Sequence, residues 1–303
     1  MTAIASASLP PRLRRSLLSV PAINERALQK AHGLDCDGVI FDLEDSVAPA
    51  RKAEARDNLK RFFAETPLRG RERIVRINAL DTDDAGADLD TVLALNPDAV
   101  LVPKVTTPSD IIGICARLDR ARAPKGLRVW AMVETPRAVL EIGAIAGTRQ
   151  GHGARLDALV VGLNDLRKET GVLPQPGRAY LLPWLMQVVL AARAFGLDVI
   201  DSVFNDFRDE AGFAGECAQG RAMGFDGKML IHPAQIEAAN RHFAPGEAEI
   251  AEAQAIIAGF AAPGAEALNV IEIGGRMVER LHLEQAERLM HKVRQISARK
   301  DIA

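Results

Sequence analysis

Eight short apolar runs, each followed by a longer amphipathic segment, restrict the fold of this chain more than any other feature. The runs are residues 16–20, 38–41, 74–77, 99–103, 128–133, 158–161, 198–203 and 228–231. The amphipathic segments are residues 24–32, 50–63, 82–95, 109–122, 137–146, 181–195, 209–223 and 233–242. The runs are continuously apolar rather than alternating, as in parallel strands covered on both faces. Strict alternation with helices therefore predicts a parallel sheet.

Eight repeats favour a closed (β/α)8 TIM barrel over an open, doubly wound sheet, because roughly 250 residues is the usual size of such a barrel. A dinucleotide-binding sheet would carry a glycine-rich fingerprint after an early strand. The first run instead ends in Val20-Pro21-Ala22, and no P-loop is present. The barrel is expected over residues 14–243, after a flexible N-terminal tail over residues 1–13.

The remaining residues, 244–303, predict a C-terminal helical lid or arm that packs on a neighbouring subunit. A helix is expected over 247–260 and a short strand over 269–273. Gly274-Gly275 then turns the chain into a helix over 277–296, whose apolar positions form a stripe.

Composition excludes several classes of function. With 38 Lys+Arg against 40 Asp+Glu and 4% aromatic residues, the chain lacks the basic and aromatic surface of a nucleic-acid-binding protein. No apolar run approaches the roughly 18 residues of a membrane helix. The three separated cysteines indicate buried thiols rather than a disulfide framework or a zinc site. We therefore expect a cytoplasmic protein with no membrane or nucleic-acid partner.

Polar groups follow nearly every predicted strand, at the end of the barrel where active sites are built. These groups are Asp42-Leu43-Glu44-Asp45, Arg76-Ile77-Asn78, Pro103-Lys104, Glu134-Thr135-Pro136, Asn164-Asp165, Asp201-Ser202 and His232-Pro233. Glu134 and Asp165 are 31 positions apart, about one repeat, so they are expected on neighbouring strands. Mg²⁺ prefers such carboxylates together with waters and substrate oxygens. Arg76 is suited to clamp a substrate carboxylate with two hydrogen bonds or to stabilise an enolate oxygen.

Each position also has a structural alternative. A carboxylate at a strand end is often only the cap of the next helix, which applies to the acidic group at 42–45 as well. Lys104 is equally suited to be the ion-pair partner of a neighbouring carboxylate.

Six motifs occur in one order: Arg15-Ser16-Leu17-Leu18-Ser19-Val20-Pro21, Asp42-Leu43-Glu44-Asp45-Ser46-Val47, Arg76-Ile77-Asn78, Pro103-Lys104, Glu134-Thr135-Pro136, and Gly224-Phe225-Asp226-Gly227-Lys228 with Ile231-His232-Pro233-Ala234-Gln235. Together they resemble the citrate lyase β-subunit-like (CitE-like) group of the HpcH/HpaI aldolase superfamily, which includes malyl-CoA and citramalyl-CoA lyases. The resemblance runs from Arg15 to the last helix.

The resemblance implies a Mg²⁺-dependent lyase, with Mn²⁺ as a substitute and coenzyme A as part of the substrate. A 3-hydroxyacyl-CoA such as citryl-, malyl- or citramalyl-CoA would be cleaved by a Claisen-type mechanism into an acyl-CoA and a 2-oxo acid. The implied metal ligands are Glu134 and Asp165, the catalytic residues are Arg76, Glu44, Asp45 and Glu279, and the substrate-binding residues are Arg76, Glu134, Arg15 and Lys104. Relatives are commonly trimers or hexamers, so a homo-oligomer is expected.

Two positions depart from the family pattern. Pro21-Ala22 stands where the family often has a Pro-Gly pair beside the passage for coenzyme A, so the methyl group of Ala22 is expected to narrow that passage. Glu279 stands in the tail where the family lyases carry an aspartate, which alters the reach of an acid or base. A thioesterase on malyl-CoA-like esters, an aldolase on free hydroxy-oxo acids and a non-catalytic subunit therefore stay open as alternatives.

Overall fold

The computed structural model describes residues 12–65, 68, 70–265 and 267–300 of the chain. Eight parallel strands close into a barrel in sequential order, with β8 pairing back onto β1. This confirms the predicted (β/α)8 fold. The strands are β1 (Ser16–Pro21), β2 (Gly38–Asp42), β3 (Glu72–Arg76), β4 (Ala99–Val102), β5 (Arg128–Val133), β6 (Leu156–Val161), β7 (Asp198–Asp201) and β8 (Gly227–Leu230).

Helices follow the strands and cover the outside of the barrel. They are α1 (Glu25–Lys30), α2 (Lys52–Glu65), α3 (Asp84–Leu95), α4 (Pro108–Arg120), α5 (Pro136–Gly147), α6 (Leu163–Thr170), α7 (Leu182–Ala194), α8 (Glu210–Met223) and α9 (Ile236–His242). Two helices, α6 and α7, connect β6 to β7 where the sequence predicted only one, over 181–195. The missed helix α6 begins two residues after β6 ends.

Two apolar layers hold the barrel. The interior is filled by inward-facing side chains of the strands, with Trp130 and Met132 from β5 among the largest. The second, larger layer lies between the strands and the helices. Alternate strand residues supply the two layers because successive side chains point to opposite faces. The continuous apolar runs of the sequence are thus explained by burial on both faces.

The end of the barrel where the strands begin is closed by Arg14. Its guanidinium lies 4.7 Å from the centroid of the Trp130 ring. It donates to Glu72 at 2.7 and 2.9 Å and to Asp198 at 2.7 Å, and it also pairs with Asp157. Sequence reasoning did not single out Arg14.

The described chain divides into two compact units, Arg14–Phe243 and a second unit whose described part comprises residues 12–13 and 244–300 without 266. The second unit contains α10 (Glu247–Phe260), an antiparallel pair formed by β9 (Val270–Ile273) and β10 (Arg276–Glu279), and α11 (Arg280–Lys300). The predicted helix over 277–296 is therefore wrong at its start, because Met277–Glu279 pair with β9 as a strand. Most of the predicted flexible tail, residues 1–11, lies outside the described residues.

None of the helices in the described part of the chain has both the length and the apolar sequence needed to cross a bilayer.

Candidate active site

A cavity of about 400 Å³ opens at the end of the barrel where the strands finish. Seven of the eight strands or the segments directly after them contribute to its wall. Residues that line it include Asp42, Asp45, Arg76, Glu134, Gly162, Asn164, Asp165, Ser202 and Asn205. Most of these are polar groups at strand ends, as a barrel active site requires.

Arg76, the last residue of β3, is held by the acidic segment after β2. Its Nε and Nη2 donate to the two carboxylate oxygens of Asp42, each at 2.7 Å. Its Nη1 lies 2.9 Å from Glu44 Oε2 and 3.5 Å from Asp45 Oδ2. Burial alone would raise the pKa of Asp42, but Arg76 outweighs it and holds that pKa below its usual range.

The pairing with Asp42 restricts how Arg76 can bind a substrate oxygen. The edge formed by Nε and Nη2 is already occupied by Asp42. Only the remaining protons of Nη1 and Nη2 are left to meet an oxygen in the cavity.

Glu134, which directly follows β5, is a buried carboxyl with few donors around it. Its side chain packs against Gly162, where an added Cβ would lie 2.6 Å from Glu134 Cβ. Its Oε1 accepts a 2.7 Å hydrogen bond from the backbone N–H of Lys104. Burial, together with the nearby carboxylates of Glu44 and Asp165, raises the pKa of Glu134 to about 8.

Glu44 is a second buried carboxyl beside Glu134. Its oxygens lie 2.9 Å from Arg76 Nη1 and 3.2 Å from Lys104 Nζ, yet neither oxygen takes part in a well-aligned hydrogen bond. Burial raises the pKa of Glu44, against the opposing effect of Arg76 and Lys104. Arg76 and Lys104 therefore leave the buried oxygens of Glu44 incompletely satisfied.

Lys104 connects these two carboxyls. Its backbone adopts a left-handed conformation with φ of 51°, which is uncommon for a residue with a side chain. In this conformation the backbone N–H points to Glu134 while the ammonium group reaches Glu44. Lys104 is thus the ion-pair partner of a neighbouring carboxylate, Glu44, which was the structural alternative for this residue.

Asp165 lies in the first turn of α6, with a carboxylate in the cavity wall. Sequence reasoning placed it directly at a strand end on the strand next to Glu134. β5 and β6 are indeed paired neighbours, but α6 presents the aspartate.

Asp45 is more than half exposed at the edge of the cavity. The segment that carries Glu44 and Asp45 is fixed by Lys52 of α2, whose ammonium group donates to the carbonyls of Leu43 and Glu44 at 2.8 and 2.7 Å. Lys52 was missed, because a lysine at the start of a helix is typical of a solvent-exposed residue.

The carboxylates fit a divalent cation. Glu134 and Asp165 face a common cavity, the pKa of Glu134 responds to Asp165, and the Glu44 oxygens lack well-aligned donors. No group of three or more His, Cys, Asp or Glu side chains in the described ranges is arranged to hold a metal. A two-carboxylate set agrees with Mg²⁺, which keeps several waters and takes further oxygens from a substrate.

Arg15 is not part of this site, and its prediction as a substrate-binding residue is wrong. It precedes β1 and therefore lies where the strands begin, at the opposite end of the barrel from the cavity. Its Nε and Nη2 donate to the two oxygens of Asp37, each at 2.8 Å. This ion pair joins the starts of β1 and β2.

Glu279 belongs to the second unit, as the last residue of β10. Its side chain is exposed, and its backbone N–H donates to His282 Nδ1 at 2.9 Å. Its role as an acid or base stays a prediction.

A parallel eight-stranded barrel with two carboxylates, a paired arginine and a lysine at the ends of its strands defines a class of metal-dependent barrel enzymes acting on oxyacids. Residues 15–233 match the model of the HpcH/HpaI aldolase/citrate lyase family, and the chain belongs to this family. The resemblance inferred from the six motifs is thereby confirmed.

Known relatives extend over nearly the whole chain. It is 43% identical over 284 residues to a (3S)-malyl-CoA thioesterase of Cereibacter sphaeroides, covering 94% of this chain and 96% of that protein. It is 32% identical to the citrate lyase subunit beta of Escherichia coli, covering 93% of each chain. The structure of CitE from Mycobacterium tuberculosis in complex with magnesium, acetoacetate and coenzyme A superposes with a TM-score of 0.75 at 28% identity, covering 94% of this chain and 99% of that one.

Proposed function

We propose that this chain is a Mg²⁺-dependent enzyme that acts on the coenzyme A thioester of a 3-hydroxy acid, represented by malyl-CoA. The observation that carries the proposal is the cavity in which Glu134 and Asp165 lie together beside Arg76. Similarity to proteins named for malyl-CoA, and to a structure that contains magnesium and coenzyme A, supports the choice of substrate and metal.

Glu134 and Asp165 would hold the cation, and Mn²⁺ would substitute for Mg²⁺ because the ligands are all oxygens. A bound Mg²⁺ supplies Lewis-acid polarisation of the substrate oxygens. The protein's own groups do the rest. Arg76 presents fixed positive charge to an oxygen that gains negative charge, and Asp42 keeps the guanidinium oriented. Lys104 keeps Glu134 in place through its backbone N–H.

The net reaction that we propose is hydrolysis of the thioester. Water adds to the acyl carbon, the C–S bond breaks, and the products are the free hydroxy acid and coenzyme A with its thiol protonated. Supporting this choice, the identity to the thioesterase is 43%, against 32% to the citrate lyase subunit.

Cleavage of the carbon–carbon bond, the activity implied by the sequence motifs, is the second candidate. It would yield an acyl-CoA and a 2-oxo acid, with Arg76 facing the oxyanion. It is favoured by similarity to the Escherichia coli subunit and to the human mitochondrial citramalyl-CoA lyase, which is 31% identical over 284 residues.

One assay separates the two reactions. The purified chain is incubated with malyl-, citramalyl- and citryl-CoA in the presence of Mg²⁺, and free thiol and 2-oxo acid are both measured. Hydrolysis predicts thiol without oxo acid, and carbon–carbon cleavage predicts oxo acid without thiol. Loss of either product with a chelator, and its return with Mg²⁺, is expected. Turnover of free hydroxy-oxo acids alone would instead support the aldolase alternative, and no product at all would support a non-catalytic subunit.

We further propose that residues 244–303 serve as a lid or arm on a neighbouring subunit, and that Glu279 acts there as an acid or base. The apolar side chains of Met277 and Leu281 in this unit are exposed, which supports a contact surface for another subunit. Light scattering is expected to give the mass of a homotrimer or hexamer of the 32.7 kDa chain. A monomer at assay concentration would contradict the shared lid.

A further inference from the structure

The helix α6, which carries Asp165, begins without a cap of its own. The residue at its N-cap is Gly162, which has no side chain to accept a hydrogen bond from the first turn. The exposed N–H groups of a helix start need partners. The backbone N–H of Leu163 has a partner in a different segment: it donates to Ser202 Oγ at 3.0 Å. Ser202 directly follows β7 and is fully buried.

Asp201, the residue before Ser202, holds the segment that follows the C-terminal end of α6. Arg178, in a left-handed conformation with φ of 57°, donates through Nη1 to the two oxygens of Asp201 at 2.7 and 2.9 Å. Asp201 Oδ1 also accepts the backbone N–H of Ser202 at 2.8 Å. Two consecutive residues at the end of β7 thus hold the chain on both sides of α6.

Asp201 is itself fixed by Lys228 of β8. The Lys228 ammonium group lies 3.0 Å from Asp201 Oδ2 and 2.6 Å from Glu216 Oε1, and both Lys228 and Asp201 have no exposed surface. Burying charged groups costs desolvation energy, so such a network contributes geometry more than stability. The geometry fixed here is that of Arg178 and Ser202.

A third, weaker connection between α6 and the segment after β7 lies at the surface. The side-chain amides of Asn164, in the first turn of α6, and Asn205, after β7, exchange hydrogen bonds of 3.2 and 2.8 Å. Since both are exposed, water competes for these bonds.

We propose that Ser202 and Asp201 are positioning residues that fix the start of α6 and thereby hold Asp165 in the wall of the cavity. The inference rests on the proposed function only in naming Asp165 as a ligand of the divalent cation. Residues that orient ligands of a metal without touching it commonly determine its affinity.

The test is the affinity of the full-length, metal-free chain for Mg²⁺ alone, measured by titration calorimetry. Ser202→Ala is expected to weaken binding about fivefold, the equivalent of one hydrogen bond. Ser202→Thr keeps the hydroxyl that accepts from the Leu163 N–H, so it is expected to restore affinity.

Ser16→Ala is the matched control. Ser16 is also a fully buried serine in two hydrogen bonds, with Asn240 and with the backbone N–H of Asp37, but it lies where β1 begins. It is expected to lose similar stability without loss of Mg²⁺ affinity. If Ser202 had only a structural role, Ser202→Ala and Ser16→Ala would have the same Mg²⁺ affinity.

Hydrogen exchange of the metal-free protein decides the positioning role independently of the metal. Amides of residues 163–166 are expected to exchange faster in Ser202→Ala, and not in Ser16→Ala. Arg178→Met, which keeps a long side chain but removes the donor to both Asp201 oxygens, is expected to speed exchange in residues 167–178. Unchanged exchange around α6 together with unchanged Mg²⁺ affinity would overturn the proposal. Wild-type protein that binds no Mg²⁺ would overturn the proposed function, whereas the exchange data would still decide whether Ser202 holds α6.

Discussion

At the level of single residues, the site contains two neighbouring carboxyl groups whose burial is energetically unfavourable. Glu134 and Glu44 are buried beside each other with raised pKa values, and their protein donors are few. Such an arrangement costs stability in the absence of a cation, and functional sites commonly carry such a cost. The strand-end positions of Glu134, Arg76 and Lys104 could be predicted from the repeat pattern. Their partners could not, because pairing depends on side-chain directions that only the closed barrel fixes.

Replacing Glu134 by glutamine separates function from stability. The amide keeps an acceptor for the Lys104 N–H but carries no charge to be buried near Glu44 and Asp165. We expect Mg²⁺-dependent turnover to fall by about 100-fold, while the thermal unfolding midpoint of the metal-free protein stays the same or rises. Retained Mg²⁺-dependent turnover would remove Glu134 from the set of ligands.

Asp157 pairs with Arg14 at the end of the barrel where the strands begin. Its negative charge stabilises the folded protein, in contrast to that of Glu134. Burial alone would raise its pKa, but Arg14, Arg128 and Arg149 outweigh it and hold the pKa below its ordinary value. The stabilisation is therefore complete above the unfolded-state pKa of about 3.9 and disappears as pH falls through the lower folded-state value.

Asp157→Asn is expected to lower the free energy of unfolding by about 2 kcal/mol at pH 7, with the difference from wild type shrinking below pH 4. Urea titrations at several pH values measure it. Asp119→Asn, at a half-exposed pair with Arg155, is the control, with an expected loss below about 1 kcal/mol. A pH-independent difference for Asp157→Asn would contradict the assignment.

At the scale of elements, α6 shows where reading the sequence fails. Its eight residues are mostly polar, so no apolar stripe marks them, and the sequence pattern predicts only a strand end at Asn164-Asp165. Two signals were present: Arg167 and Lys168 in the last turn, and Gly171, which ends the helix with φ of 70°. The eight short apolar runs were easier to identify, since burial on both faces leaves a continuous apolar pattern.

Gly162, between β6 and α6, lies so close to Glu134 that there is no space for a side chain at this position. In Gly162→Ala the new methyl would meet Glu134 Cβ and Oε2, each at 2.6 Å, so Glu134 must shift. We expect Mg²⁺ affinity to fall about tenfold and stability to drop by about 1–3 kcal/mol.

Gly143→Ala is its control, on α5 with open space around the glycine. It is expected to stabilise by about 0.5–1 kcal/mol and to leave Mg²⁺ binding unchanged. Equal behaviour of the two alanine variants in metal binding would show that the contact with Glu134 does not matter.

At the scale of the whole molecule, the predicted barrel is confirmed because eight repeats leave few alternatives to closure. The three cysteines, which the sequence indicated as buried thiols, are all buried and outside disulfides. Burial raises the pKa of Cys217 to about 12 and also raises that of Cys115.

The native protein is therefore expected to react only slowly with an aromatic disulfide reagent at pH 8, since the thiolate is the reacting form. The same reagent in concentrated guanidinium chloride is expected to detect three thiols per chain. A thiol that reacts immediately in the native protein would contradict the tight packing around these side chains.

The closure of one end of the barrel by Arg14 and Trp130 has a kinetic consequence. With that end sealed and the interior filled by side chains, the barrel offers no passage through its axis. Substrate must enter, and products must leave, by the same opening. Free enzyme therefore meets substrate and products in one place, and a product that binds at the cavity is expected to inhibit competitively.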